Sequence, residues 1–154
     1  MINIYGKNCI KEAVKANNGI VKICILDSVA SKEQKFIQLL QDKHIKYEIL
    51  NKSKMDSTFG NSHQGFGAIR NDYKIYDEKI IDLIEGENKR ILILDGINDP
   101  GNLGTMIRTA DWFGINKIVC SQDCADAWQA KTIQSTMGSI FRIQIIETDL
   151  KDFL

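Results

Sequence analysis

The side chains best suited to chemistry lie between Arg90 and Gly114, in RILILDGINDPGNLGTMIRTADWFG. Asn102 offers an amide, Gly104 a position with no side chain, and Arg108 a guanidinium four residues later. On a helix that spacing places Arg108 one turn along the same face as Gly104, over a bare patch. A permanent cation beside a helix N-terminus suits phosphate or another anion. The same spacing also fits an ordinary strand-to-helix turn in which Arg108 pairs with Asp111 three residues on. Asn102 has the side-chain oxygen to cap such a helix.

The elements needed to hold these residues are legible around them. Ile91 to Leu94 is an apolar run bounded by charge and by Asp95-Gly96, as in a strand buried on both faces. The chain's single proline, Pro100, sits in the turn with Gly96, Gly101 and Gly104 close by. Leu103, Met106, Ile107 and Ala110 follow at helical spacing, with Gly114 as the stop. Ile115 to Cys120 predicts the next strand. Strand, glycine-rich turn, helix, strand is a βαβ unit, and α/β sheets place ligands at that carboxyl-edge turn. Beyond it, Ser121 to Asp126 reads as a polar loop, Lys131 to Met137 as a helix ended by Gly138, and Ile140 to Ile146 as a buried strand.

Upstream, Asn8 to Ala16 carries Cys9, Ile10, Ala13 and Val14 at helical spacing, and Ile20 to Leu26 reads as a strand. Ser31, with Gln34 three residues on, predicts a capped helix whose core face is Phe36, Ile37, Leu39 and Leu40. Tyr47 to Leu50 and Phe66 to Arg70 read as strands, with Lys52 to Asn61 a mobile polar loop between them. Ile80, Ile81, Leu83 and Ile84 mark a short amphipathic connector helix. The expected organisation is α/β throughout: a small domain over residues 1–76, a linker over 77–88, and a parallel-sheet domain over 89–154.

DPGNLGTMIRTADWFG resembles the first signature motif of the SpoU (TrmH-type) RNA methyltransferases of the SPOUT superfamily. The family's Asn, Gly, Arg and Ala fall on Asn102, Gly104, Arg108 and Ala110. KIVCSQDCADAWQAKTIQSTMGSIFRI is similar to the next family segment, with Lys131, Met137-Gly138 and Arg142. HQGFGAI and YGKNCIKEAV resemble the end and the start of the family's RNA substrate-binding domain. The resemblance implies methyl transfer from S-adenosylmethionine to a ribose 2′-hydroxyl of structured ribosomal or transfer RNA, by a protein that is a homodimer when full length. It makes Arg108 and Asn102 catalytic, Arg108 at the 2′-hydroxyl and Asn102 holding the loop. It makes Gly104 the space for the ribose, and places His63, Gln64 and Lys131 as RNA-binding candidates; Lys131 and Arg142 fit either RNA contacts or plain surface charge. For His63 a plain turn histidine that satisfies local backbone groups fits equally. Trp112 and Trp128 suit base stacking, although Trp112 beside Phe113 also suits a core or a dimer interface.

Two later family motifs, a glycine-rich turn with an essential Glu and a Ser-Leu-Asn segment, do not occur in these 154 residues. In the family those segments supply most of the cofactor pocket and the deep trefoil knot. The parallel-sheet (α/β knot) domain is therefore expected to be incomplete, with no identifiable cofactor-binding residues, and the chain to be a fragment of a longer product or a natural truncation. A non-catalytic RNA-binding protein that keeps the substrate domain is the competing reading.

Composition is consistent with this picture. No apolar run approaches the roughly 20 residues of a membrane helix. Neither GxxxxGK[ST] nor GxGxxG occurs, which argues against an NTPase or a dinucleotide enzyme. With two histidines and no CxxC among Cys9, Cys24, Cys120 and Cys124, no metal site is expected, and free thiols point to the cytoplasm. Net charge is zero, yet residues 1–76 carry 12 Lys+Arg against 7 Asp+Glu, the balance of an RNA-gripping surface or of a solvated one. Calorimetric titration of S-adenosylmethionine into this 154-residue chain is expected to show no tight binding. Micromolar affinity would overturn the account of the missing pocket.

Overall fold

A computed structural model describes residues 1–16, 19–71 and 90–153 of the chain. The chain forms two compact units, Met1–Asp72 and Tyr73–Leu154. The connector helix read around Ile80 and Ile84 lies outside the described residues.

In the first unit the strands are β1 (Ile2–Tyr5), β2 (Ile20–Leu26), β3 (Tyr47–Leu50) and β4 (Phe66–Arg70). They form one sheet in the order β1-β4-β2-β3. β4 runs antiparallel to both β1 and β2, while β2 and β3 are parallel. The helices are α1 (Lys7–Ala16), α2 (Asp27–Ala30), α3 (Gln34–Asp42) and α4 (Lys52–Phe59). The helical stripe read from the sequence is the buried one on α1, where Cys9, Ile10, Ala13 and Val14 are all covered. On α3 the buried residues are Phe36, Ile37 and Leu40, and the Phe36 ring meets Phe66 of β4 edge-on at 5.7 Å.

Two local expectations are corrected. Ser31 does not cap α3: it closes α2, and the N-cap position of α3 is Glu33, which makes no capping bond. The Glu33 carboxylate is instead held by Lys7 at 2.7 Å and Lys11 at 2.8 Å, so the ion pairs take the group that would have capped. The polar segment after β3 is helix rather than mobile loop. Asn51 caps it by accepting the Lys54 N–H at 2.9 Å. Met55 and Phe59, one turn apart, are buried against Cys24 and Leu50. Two apolar anchors among polar neighbours were too few to reveal a periodic stripe.

The second unit contains β5 (Leu92–Leu94), α5 (Pro100–Trp112), β6 (Lys117–Ser121), α6 (Ala130–Ser135), a 3-10 turn (Ser139–Phe141), β7 (Gln144–Thr148) and α7 (Leu150–Phe153). Its sheet is parallel, in the order β5-β6-β7. β6 is buried at every residue, as a central strand must be, and Val119 packs with Ile146 of β7 under Leu150 and Phe153. The expected strand from Ile140 divides: Ile140 and Phe141 are buried in the 3-10 turn, and the ladder begins at Gln144. Their apolar character reports burial rather than strand geometry. β5 lies at the sheet edge, where Ile93 is 39% exposed. None of the described helices is long and apolar enough to cross a membrane.

Met55→Ala is expected to cost about 2–5 kcal/mol, the usual range for emptying a fully buried site. Thermal melting checks it; a variant that melts like the parent would restore the mobile-loop reading of this segment.

Candidate functional site

At the carboxyl edge of the second sheet, the loop from β5 to α5 is latched to the loop that follows β6. The Gly96 N–H donates to Ser121 Oγ at 2.9 Å, and the Ile97 N–H to Cys124 Sγ at 3.3 Å. The Cys124 thiol donates to the Leu94 carbonyl at 3.4 Å, and the Ala125 N–H to the Ile97 carbonyl at 2.8 Å. Burial, with the Cys124 thiol as neighbour, pushes the Cys120 thiol up to about 12. It is a neutral packing group at physiological pH. Sequence reading had no signal for this latch, because its partners lie 25 to 30 residues apart.

α5 starts on Asp99, not on Asn102. The Asp99 carboxylate accepts the Asn102 N–H at 2.7 Å, and Pro100 occupies the first helical turn where its missing N–H costs nothing. The Asp-Pro pair in the sequence carried that signal. Asn102 is thereby relieved of capping, and its exposed amide makes no hydrogen bond among the described residues. Lys131, at the start of α6, sits 3.9 Å from the second Asp99 oxygen. Both side chains are more than half exposed, so the pair contributes little to stability.

Leu103, Ile107 and Ala110 form the buried stripe of α5. Gly104 belongs to it. A Cβ at Gly104 would lie 2.6 Å from the Thr132 carbonyl oxygen and 2.5 Å from Ser135 Cβ, so the missing side chain is the space that α6 fills. This corrects the reading of Gly104 as room for a ribose: its bare face is occupied by the protein itself.

Arg108 and Asp111 do not pair. Asp111 is engaged from β7's side of the unit by Arg142, whose Nε and Nη2 donate to Asp111 Oδ2 at 3.1 and 2.5 Å. Partial burial works against ionisation, but the Arg142 guanidinium and the Ser139 hydroxyl still hold the Asp111 carboxyl below its usual range. Arg142, read as an RNA contact or surface charge, is therefore also a structural clamp. Arg108 is exposed, and among the described residues it makes no hydrogen bond or ion pair. A free guanidinium on a helix whose Leu103, Ile107 and Ala110 stripe is buried is an anion-directed group. Trp112 is 87% and Phe113 66% exposed, which removes the core reading of Trp112.

In the first unit His63 is buried and fully committed. Its Nδ1 accepts the Gly65 N–H at 2.8 Å, which leaves the ring proton on Nε2, 2.9 Å from Asp56 Oδ1. That pairing fixes the turn before β4, where Gln64 (φ 54°) and Gly65 (φ 81°) both take left-handed backbone. His63 is thus a turn-holding residue and is withdrawn as an RNA contact. Gln64 is exposed, and its Oε1 accepts the Lys7 N–H at 3.1 Å, tying this turn to the start of α1.

No group of three or more His, Cys, Asp or Glu able to hold a metal occurs among the described residues. A methyl-donor cofactor with an ammonium, a carboxylate and a sulfonium requires several polar partners. The groove of about 520 Å³ along β5 and α5 is lined mainly by Leu92, Leu94, Met106, Ala110, Phe113 and Ile115. These residues do not fit such a cofactor.

Residues 89–154 match the SpoU rRNA Methylase family, and residues 3–76 match the family described as RNA 2′-O ribose methyltransferase substrate binding. The Bacillus subtilis 23S rRNA (guanosine(2553)-2′-O)-methyltransferase RlmP is 42% identical over 66 residues, which is 43% of this chain and 27% of that protein. A Staphylococcus saprophyticus protein assigned to the TrmH family of tRNA/rRNA methyltransferases is 29% identical across 94% of this chain and 60% of its own length. Among solved structures, an rRNA methyltransferase from Sinorhizobium meliloti superposes with a TM-score of 0.78 at 23% identity, covering 98% of this chain and 56% of its own. The AdoMet-bound form from the same organism gives 0.74, at 24% identity over 98% and 55%. The chain thus spans no more than about 60% of the length of these relatives.

The Asp111–Arg142 clamp makes a pH prediction. The folded carboxyl titrates below 3.8, its ordinary value, so the clamp's contribution is full above that value and is lost as pH falls through the folded one. The partly exposed pair is expected to contribute about 0.5–1 kcal/mol. Melting Asp111→Asn beside the parent should show a gap at pH 7 that closes as pH falls below the carboxyl's ordinary value; a gap independent of pH would show that the charge contributes nothing.

Proposed function

The chain belongs to the SpoU rRNA methylase family, and on that premise we propose that the protein carrying it methylates a ribose 2′-hydroxyl of ribosomal or transfer RNA, with S-adenosylmethionine as methyl donor. The observation that carries the reading is the exposed Arg108, left without a partner because Arg142 takes Asp111.

A ribose 2′-hydroxyl is a feeble nucleophile, and its attack requires either removal of the proton or stabilisation of the oxyanion that forms. A guanidinium is a permanent cation and a poor base, so the role of Arg108 is the second: a fixed cation beside the oxygen that becomes negative. The exposed Asn102 amide, in the first turn of the same helix, is placed to orient the ribose or the loop that meets it. Lys131 stands beside that turn and supplies a phosphate contact.

The methyl donor is carried over from the family and from the AdoMet-bound relative. The described residues of this chain act on the RNA side of the reaction. The first unit, with the family's substrate-binding match and its excess of lysine, holds the RNA. A homodimer is supported by Trp112 and Phe113, two large apolar side chains exposed together at the end of α5. A cytoplasmic setting is supported by four free cysteines, three of them buried.

Arg108→Ala, made in a protein of the relatives' full length, is expected to lower methylation by at least ~10²-fold, the usual effect of removing an oxyanion-stabilising donor. Its melting temperature should stay within a degree or two of the parent because the side chain is exposed. Turnover at the parent rate would remove Arg108 from the reaction.

A further inference from the structure

The first unit carries a concave basic surface that none of the residues discussed for methyl transfer uses. A groove of about 590 Å³ runs between α1 and the start of α3. It is lined by Lys11 and Lys15 from α1, Lys32 from the turn before α3, and Lys35, Phe36 and Leu39 from α3. Glu33 supplies its carboxylate, and that charge is already spent.

The wall of the groove is pre-ordered by its own ion pairs. Glu33 binds Lys7 and Lys11 with one oxygen each, at 2.7 and 2.8 Å, and those two ammonium groups hold its carboxyl below the usual range. Lys11 lies 5.6 Å over the Phe36 ring and 5.7 Å over Phe66, and Lys7 lies 5.8 Å over Phe66. These contacts fix the lysine stems on the aromatic surface. One carboxylate shared by two ammoniums leaves a net positive charge at that point. Lys15 is paired with Glu12 at 2.6 Å. Lys32 and Lys35 are exposed, and their ammonium groups make no hydrogen bond or ion pair among the described residues. They are three residues apart in the groove's lining.

A second lysine-bearing concavity of the unit, around Lys22 and Lys46, has Glu48 bound to Lys22 at 2.8 Å and to Lys54 at 3.3 Å, so it holds fewer unspent cations. A groove lined by apolar side chains, ordered cations and two free ammoniums matches a polyanion that lies along it. A polyanion met by a substrate-binding unit of this family is RNA.

We infer that the α1–α3 groove is where the first unit grips the RNA phosphate backbone, with Lys32 and Lys35 as its phosphate contacts and the Glu33 bridge holding Lys7 and Lys11 in register beside them. This rests on the RNA reading above, which named no binding surface on this unit. The groove supplies affinity and position and carries no sequence information, because ammonium groups read phosphates and not base edges.

The test uses the whole 154-residue chain and a fluorescein-labelled RNA hairpin of about thirty nucleotides, titrated by anisotropy at several salt concentrations. Lys32→Gln with Lys35→Gln is expected to weaken binding about tenfold or more at 0.1 M salt and to reduce the salt slope by about two. Both positions are exposed, so melting should match the parent. Lys43→Gln with Lys46→Gln, at the far end of α3, removes the same charge elsewhere and should change affinity far less. If the parent binds the hairpin and both double variants weaken it equally, bulk charge is responsible and the groove is not the site. If the parent binds and Lys32→Gln with Lys35→Gln leaves affinity and slope unchanged, the groove is likewise overturned. If the parent binds no RNA under any condition, the RNA reading of the first unit falls, and the groove with it.

Discussion

The backbone of α6 rests directly on α5 because position 104 has no side chain. With the Thr132 carbonyl and Ser135 where a Cβ would stand, the two helices lie closer than any other residue there would permit. Leu103 and Ile107 then reach full burial on either side of the contact, each worth about 1.5–3 kcal/mol relative to exposure. The rotation of α5 about its axis follows, with Leu103, Ile107 and Ala110 turned inward. A glycine read as functional space is in fact a packing constraint between two helices.

The second constraint is the partition of charge. Asp111 had two arginines within reach of its sequence position or its fold, and the tertiary partner wins. Arg142 approaches with two donors in the fork geometry that suits a carboxylate, whereas Arg108 at i−3 on the same helix would have to bend its side chain along the helix surface for a single exposed contact. The first unit solves the same problem differently. There Glu33 forgoes a capping role and bridges two lysines, so that cations from α1 and the turn into α3 share one wall. In both units a carboxylate decides which cations stay free, and the free ones are where an RNA-directed role is proposed.

The latch between the β5–α5 and β6–α6 loops serves these constraints. Gly96 and Ile97 give their N–H groups to Ser121 and Cys124, so the turn that launches α5 is tied to the neighbouring strand rather than to solvent. A rigid launch point is needed if a single helix is to present Asn102 and Arg108 in a fixed relation. The edge strand β5 and the apolar groove beside it are the less satisfied part of the unit, with Ile93, Met106 and Phe113 partly exposed.

The sequence by itself determined whatever depends on short-range pattern. The strands read at Ile20–Leu26 and Ile115–Cys120, the helical stripes of α1 and α5, and the βαβ unit were legible because burial repeats with the period of the element that carries it. The motif around Asn102 and Arg108 was legible for the same reason, as a local string. What only the tertiary structure decided are the choices among partners distant in sequence: Arg142 over Arg108 for Asp111, Lys7 and Lys11 over the helix end for Glu33, α6 over a ligand for Gly104, and Asp56 over solvent for His63. Asp56 lies seven residues from His63 and Arg142 thirty-one from Asp111, so no local periodicity records either pairing. Such competitions are settled by which group arrives with the better geometry once the chain has closed on itself.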